Sequence, residues 1–402
     1  MTGPDRMLLI RNADVFAPQA LGLRDLLLGG GRILWIGAPG ELALPRALAA
    51  DTGTIDLGGA RLIPGLIDCH VHITGGGGEA GFRTRVPSLP LSRMTAAGVT
   101  SIIGLLGTDD IARGPRELLA GVYALREEGV NAWCYTGGYH VPPATLTGSA
   151  QADLVFIEAM VGIGEVAISD HRSSQPTLDE LLRLAAVAHV AGLMTNKAGI
   201  LHLHLGDGGR GLEPVRQALA GSELPPRVFH PTHVNRRRAL FDEAVDLARS
   251  GCTIDVTAFP VAEGEDAYSA ADAVLRFAAS GAPPGRLTVS SDAGGCLPCF
   301  DGDGRVTHMD VGSAGALLAT LAELVGRGMP LPSALLPFTQ NPADLFRLSG
   351  KGRIAAGADA DLVALDAAGG AATVIIRGNV HVQDGECVRR GTFEPAPHSR
   401  HS

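Results

Sequence analysis

Six of the chain's 13 histidines fall in three close pairs, His70-Val71-His72, His202-Leu203-His204 and His230-Pro231-Thr232-His233, each near the end of a short apolar segment. Asp292 stands near the end of another such segment. Residues two apart on an extended strand face the same side, so the imidazoles of His70 and His72 can converge on one ion. A single H-x-H is weak evidence, but three histidine pairs and an aspartate at segment ends make a shared metal site the simpler explanation. Imidazole and carboxylate ligands without thiolate suit Zn2+ or a similar divalent ion in a catalytic site with an open position. His204 and His233 are preferred as ligands because each lies nearer the C-terminal end of its segment. His202 shares the facing parity of His204 and stands as its rival, otherwise as a supporting or core group.

Eight apolar segments must position these residues: 62–73, 100–107, 131–140, 165–171, 200–207, 227–235, 252–259 and 287–295. Helix-like stretches separate them. In one, Thr177 and Glu180 have the spacing of a capping box after Pro176, and LDELLRLAAVAHVAGLM then runs without Gly or Pro until Gly192. Eight strand-helix units with almost continuously apolar strands predict an α/β fold, a (β/α)8 TIM-like barrel, with an open doubly wound sheet as the runner-up. In such a barrel the chemistry sits where the strands end. The flanks differ: residues 7–60 and 352–390 hold short alternating strands punctuated by Gly and Asp. Neither flank has enough strands to bury a core, so the two are expected to pair as a small β-sandwich built from both chain ends. The division is 1–62, 63–346 and 347–402, and the closing EPAPHSRHS reads as a frayed tail.

Composition narrows the function. With 33 Lys and Arg against 42 Asp and Glu the formal charge is −9, which offers no positive face for nucleic acid. No apolar run approaches membrane-spanning length and the start lacks a secretory pattern, so a soluble cytoplasmic protein is expected. Six cysteines in 402 residues are too sparse for a disulfide scaffold, and reduced thiols are the default.

The segments PGLIDCHVHITGGGGEAGFRTR, GLLGTD, AISDHRSS, HLGD, PTHVNR and VSSDAGG resemble the amidohydrolase superfamily and, within it, the isoaspartyl dipeptidase subgroup. GGGGEAG with SDHRS and PTHVNR carries the subgroup. The resemblance implies a barrel with a flanking β-sandwich and two Zn2+ per chain. His70 and His72 would hold the first ion and His204 and His233 the second. Asp292 would hold the first ion and also take the proton of a bridging water, so that a metal-bridged hydroxide hydrolyses β-aspartyl dipeptides. Tyr139 would stabilise the oxyanion, and Thr108 and the Gly77 backbone would complete the substrate cradle. Glu79, after the glycine run, suits a substrate ammonium, while Arg172 and Arg236 suit its two carboxylates. The superfamily pattern also implies a homo-oligomer.

Two positions depart from the pattern. Where the family has a carboxylated lysine on strand 4, aligning AISDHRS places Glu165, which carries the needed carboxylate on a shorter arm. Strand 4 must then sit closer to the ions, or only one is held firmly; a carboxylate unrelated to metal is the competing reading. Lys197, in the loop before strand 5, is an implausible substitute. Cys296 stands where the subgroup has a serine that helps hold substrate, and with Cys299 it forms CLPC, read as two free thiols near the pocket rather than a redox pair. His140 and His171 are expected in outer roles, and Asp207 as a turn cap. Competing functions are an amidohydrolase for another N-acyl amino acid or a cyclic amide, and an inert metal-binding homologue.

Overall fold

The computed structural model describes residues 7–300 and 305–395. The chain opens with β1 (Leu8–Phe16), β2 (Ala20–Gly29), β3 (Arg32–Gly37), β4 (Gly53–Asp56) and β5 (Arg61–Pro64). Eight strands alternating with helices follow: β6 (Leu66–Val71), β7 (Val99–Gly104), β8 (Asn131–Thr136), β9 (Met160–Ile168), β10 (Ile200–Leu205), β11 (Phe229–Thr232), β12 (Ile254–Thr257) and β13 (Leu287–Ser290). A hairpin of β14 (Cys296–Phe300) and β15 (Val306–Val311) comes next, before β16 (Leu362–Leu365), β17 (Ala371–Ile376), β18 (Asn379–Gln383) and β19 (Glu386–Cys387).

Strands β6 to β11 form one parallel sheet in strict chain order, and β12 pairs in parallel with β13. Among the described residues there is no switch in strand order of the kind a doubly wound sheet needs. The sheet is strongly curled. Val71 bridges Ala293, and the His72 N–H donates to Ala293 O at 2.8 Å, so the segment after β13 returns onto β6. On the other side Thr257 N–H donates to Asn235 Oδ1 at 2.9 Å, joining the turn after β11 to β12. Every residue of β6, β9 and β10 is buried, as expected for strands covered on one side by helices and filled on the other by side chains.

The two chain ends meet in one mixed sheet, ordered β19-β18-β17-β16-β5-β1-β2-β3 with β4 beside β1. The seam is antiparallel, with Leu62, Ile63 and Pro64 opposite Ala364, Val363 and Leu362. Ile10, Val15, Leu26 and Ile33 from the first end pack with Leu362 and Ile375 from the last. The core of this sheet therefore does not exist until both ends are in place.

Several boundaries differ from the sequence expectation. The helix Leu178–Thr195 has the foreseen capping box of Thr177 and Glu180, but it runs through Gly192 and stops at Asn196. A Cβ on Gly192 would lie 2.6 Å from Gly199 Cα, so this glycine is a close-packing point and not a stop. β9 starts at Met160 and not at 165, which puts Glu165 within the strand. β11 is only Phe229–Thr232, and His233 and Asp292 lie beyond their strands with φ of 61° and 53°. The CLPC segment lies on a hairpin that the strand pattern did not suggest. The assumed tail is anchored at its first residue, where Glu394 Oε1 accepts from Ser92 N–H at 2.9 Å; residues 396–402 lie outside the described residues. No helix among the described residues is long and apolar enough to cross a membrane.

Candidate active site

Glu165 is the hub. Its Oε1 lies 3.6 Å from Nε2 of both His70 and His72, and its Oε2 lies 3.2 Å from His204 Nδ1 and 3.5 Å from His233 Nε2. Asp292 Oδ1 stands on the first side, 3.4 Å from His70 Nε2 and 3.1 Å from His72 Nε2. The structure thus brings all six expected ligands together, in two groups that share one carboxylate. Two glycines let backbone lie close to the cluster: a Cβ on Gly164 would stand 2.7 Å from His202 Cβ on the adjacent β10, and one on Gly107, just after β7, would stand 2.7 Å from the His72 ring.

His233 and Asp292 are turned toward the same point by left-handed backbone, a conformation that costs about 1–2 kcal/mol in a non-glycine residue. Such departures concentrate where geometry serves a ligand.

Electrostatics single out the same group. Burial, then the charge of Asp292, pushes the Glu165 carboxyl well above its ordinary range. Burial acts the same way on Asp292, but the His70 and His72 rings beside it outweigh that and hold it well below. Burial lowers His204 to about 3 and His233 well below its usual value, so both rings are neutral. Nε2 of His70 and Oδ1 of Asp292 are buried without a hydrogen-bond partner, as donor atoms awaiting a cation would be.

The outer contacts orient the candidate ligands. His204 Nε2 lies 2.9 Å from Asp170 Oδ2, which leaves Nδ1 to face Glu165. His233 Nδ1 lies 2.7 Å from Thr257 Oγ1, leaving Nε2 inward. His202, the rival ligand, is not in the cluster; it sits beneath it, 2.8 Å from His70 Nδ1. Sequence reading missed Asp170 and Thr257. Asp170 had a signal, its position two residues before Arg172 in SDHRS, while Thr257 had none.

A cavity of about 170 Å³ opens over the cluster. Arg172 Nη2 donates to Asp170 Oδ2 at 2.7 Å, its Nη1 lies 3.5 Å from Glu79 Oε1, and its guanidinium sits 5.6 Å from the centre of the Tyr139 ring. Thr108 Oγ1 donates to Glu79 Oε1 at 3.1 Å, while Glu79 Oε2 is buried without a partner. Arg236 Nη1 donates to Leu205 O at 2.9 Å. The Tyr139 hydroxyl lies 2.8 Å from His204 Nδ1, and burial pushes its pKa well up, so it stays protonated.

Cys296, Leu297 and Cys299 line one wall, with Phe259 and Pro260 also at the cavity. Both cysteines are free thiols, and burial followed by the charges of Glu79 and Asp292 lifts Cys296 to about 12. Gly77 has φ 78° and its Cβ would stand 2.5 Å from Thr84 O, so only glycine keeps this backbone against the cavity.

Other expectations fare differently. Asp207 makes no turn cap; its Oδ1 lies 3.8 Å from Arg236 Nε at the cavity edge. His140 Nδ1 pairs with the buried Asp110 at 2.8 Å, and His171 is largely exposed beside Asp170. Lys197 Nζ donates to Ile157 O at 2.8 Å, at the opposite end of β10 from the cluster.

A model of the Amidohydrolase family matches residues 61–381. A β-aspartyl dipeptidase from the thermophilic, keratin-degrading Fervidobacterium islandicum AW-1, solved in complex with a β-Asp-Leu dipeptide, superposes with a TM-score of 0.90 at 41% identity, covering 96% of this chain and 98% of that one. A deacetylase of Agrobacterium fabrum is 25% identical over 359 residues, 85% of this chain and 78% of its own. An imidazolonepropionase of Pseudomonas syringae pv. tomato is 42% identical over 74 residues, so this chain spans only 18% of that relative's length.

Proposed function

Because the chain belongs to the amidohydrolase family, we propose that it is a dipeptidase that hydrolyses β-aspartyl (isoaspartyl) dipeptides with two Zn2+ ions. The carrying observation is Glu165, one oxygen directed at His70 and His72 and the other at His204 and His233. His70, His72, Asp292 and Glu165 Oε1 would hold the first ion; His204, His233 and Glu165 Oε2 would hold the second. The donor set fits, since its histidines are neutral where a shift is resolved and two of its atoms lack any other partner. When bound, two such ions lower the pKa of a shared water toward neutrality and polarise the scissile carbonyl.

The chain's own groups do the rest. Asp292 takes the water's proton and returns it to the leaving amine. The Tyr139 hydroxyl, kept protonated by burial, donates to the oxyanion of the tetrahedral intermediate. Glu79 offers its unpartnered Oε2 to the substrate ammonium, and Arg172 and Arg236 take the two carboxylates. Thr108 steadies Glu79, the Gly77 backbone lines the cradle, and Cys296 occupies its wall.

The likeness to a deacetylase over 85% of the chain favours, as a second reading, hydrolysis of another N-acyl amino acid or a cyclic amide. A substrate panel at fixed zinc separates the two: β-Asp-Leu is expected to turn over and N-acetyl amino acids and hydantoins are not, and the reverse result overturns the assignment. Inertness toward every amide, with Asp292→Ala changing nothing, would instead indicate an inert metal-binding homologue. Zinc analysis tests the bridge directly. Two ions per chain are expected, falling in Glu165→Ala; full occupancy in that variant ends the bridging role.

The same proposal reads the curled sheet as a closed (β/α)8 barrel within 63–346. The mixed sheet would be a β-sandwich from the described parts of 1–62 and 347–402, with β5 crossing the first boundary. A cytoplasmic homo-oligomer completes it.

A further inference from the structure

Below the Glu165 cluster, toward the N-terminal ends of the strands, lies a second set of polar side chains, His202, His230, Thr288 and Asp255, all fully buried. They form a continuous chain of contacts from a metal-ligand candidate. His70 Nδ1 is 2.8 Å from His202 Nε2, and His202 Nδ1 is 2.9 Å from His230 Nδ1. His230 Nε2 is then 3.1 Å from Thr288 Oγ1, which donates to Asp255 Oδ1 at 2.6 Å. Each contact between two imidazole nitrogens at this distance holds one proton, so the whole chain has a direction.

The far end decides it. Asp255 accepts from the Thr232 and Ser290 hydroxyls at 2.7 and 2.5 Å and from the Cys69 thiol at 3.3 Å, besides Thr288. A carboxylate receiving four donors is an acceptor and needs no proton of its own. Thr288 has a single hydroxyl hydrogen, and its other contact, Ile254 O at 3.5 Å, is also an acceptor. Thr288 must therefore accept from His230 Nε2–H. His230 Nδ1 is then bare and accepts from His202 Nδ1–H; His202 Nε2 is bare and accepts from His70 Nδ1–H. His70 is left with a bare Nε2, the atom without a partner that faces Asp292 at 3.4 Å and Glu165 at 3.6 Å.

We propose that Asp255, acting through Thr288, His230 and His202, sets the tautomer of His70 and so prepares Nε2 to bind the first divalent ion. These four are positioning residues. The Tyr135 ring, stacked on His202 at 4.8 Å with planes 1° apart, keeps the middle of the relay in register. His202 and His230 are fully buried, and their ring nitrogens meet each other, His70 and the Thr288 hydroxyl. His72 has no such support, since its Nδ1 is buried without a partner. The proposal rests on the two-ion reading of the cluster, and its test keeps the two separable.

The test has two arms. In metal-free protein carrying 15N-histidine, long-range 1H–15N spectra at neutral pH are expected to show Nδ1–H tautomers for His70 and His202 and an Nε2–H tautomer for His230. An Nε2–H form of His70 or His202, or a doubly protonated His202, overturns the relay. In the second arm, zinc affinity is measured by chelator competition. His202→Leu is expected to weaken the first ion by about 10–100-fold and to spare the second. His202→Gln, which accepts through Oε1 and donates through Nε2, is expected to restore it. Unchanged affinity in folded His202→Leu overturns the relay, and if that variant does not fold, the wild-type spectra and His202→Gln decide. Expected tautomers in a protein that binds no zinc would overturn the two-ion reading, whereas reversed tautomers in one that binds two ions would overturn the relay.

Discussion

Two rows of buried polar side chains cross the interior of the curled sheet, one centred on Glu165 and one on Asp255, and they meet the cost of burial in opposite ways. Around Asp255 the acceptors are saturated: two threonines, a serine and a thiol all donate to one carboxylate. Around Glu165 two carboxylates and four imidazoles face one another, and donor atoms of His70 and Asp292 are left without partners. A native fold seldom buries polar atoms unpaired, because each such atom costs about 1–3 kcal/mol. The upper row is therefore incomplete as protein alone and calls for a cation, whereas the lower row is complete and serves as a frame. The residue types are similar in both rows; hydroxyl donors are what separates a frame from a ligand site.

The largest effect expected from breaking this contrast is at Asp292. In zinc-loaded protein, Asp292→Asn removes the proton acceptor and should lower kcat on β-Asp-Leu by about 10²–10⁴-fold; a loss below tenfold would detach Asp292 from the chemistry. Asp170 is next, because it touches both His204, a proposed ligand, and Arg172, a proposed substrate contact. Asp170→Asn should weaken zinc binding at the second ion by about 10–100-fold and raise KM, while the first ion stays bound. Equal weakening of both ions would mean a general loss of structure.

Stability of the metal-free protein compares the rows directly. Asp255→Asn leaves several donors without an ionised acceptor and should cost about 1–3 kcal/mol in urea unfolding. Glu165→Gln removes a carboxylate that burial and Asp292 disfavour, so it should leave stability unchanged or raised. If both variants lose the same amount, the distinction between the rows fails.

The smallest effect is expected at the cavity wall. Cys296→Ser should change KM by less than about tenfold, the scale of one net hydrogen bond. Its thiol has a pKa lifted to about 12. Alkylation of that thiol by iodoacetamide should therefore rise about tenfold per pH unit from neutral to mildly alkaline conditions. A plateau near pH 8 would show that the thiolate forms far more readily.

Much of the upper row was legible because its chemistry is written in residue type and spacing. His70 and His72 share a strand face, and His204 and His233 are set apart from His202 and His230 by nothing more than proximity to the strand ends. Glu165 was visible only through the resemblance around AISDHRS; by itself it is one glutamate in an apolar run. The lower row was almost invisible. Asp255, Thr288 and Thr232 lie on three strands, and each is an ordinary polar residue in a short segment. His202 was recognised as a rival and a possible support, but its partners come from elements far apart in the chain. Glycines were misread for the same reason: Gly192 reads as a helix stop and is a contact point with Gly199.

By itself, the amino-acid order determined the alternation of strands and helices, the pairing of the two chain ends, and the residues able to hold a cation, because periodicity, capping and ligand chemistry are local properties. Only the tertiary structure decided which of those residues meet. The curl of the sheet brings the turn after β13 back to β6. Left-handed backbone turns His233 and Asp292 inward, and bare Gly164 lets β9 lie close to β10, next to Glu165. Those outcomes depend on distances between strands, which packing sets and no single segment encodes.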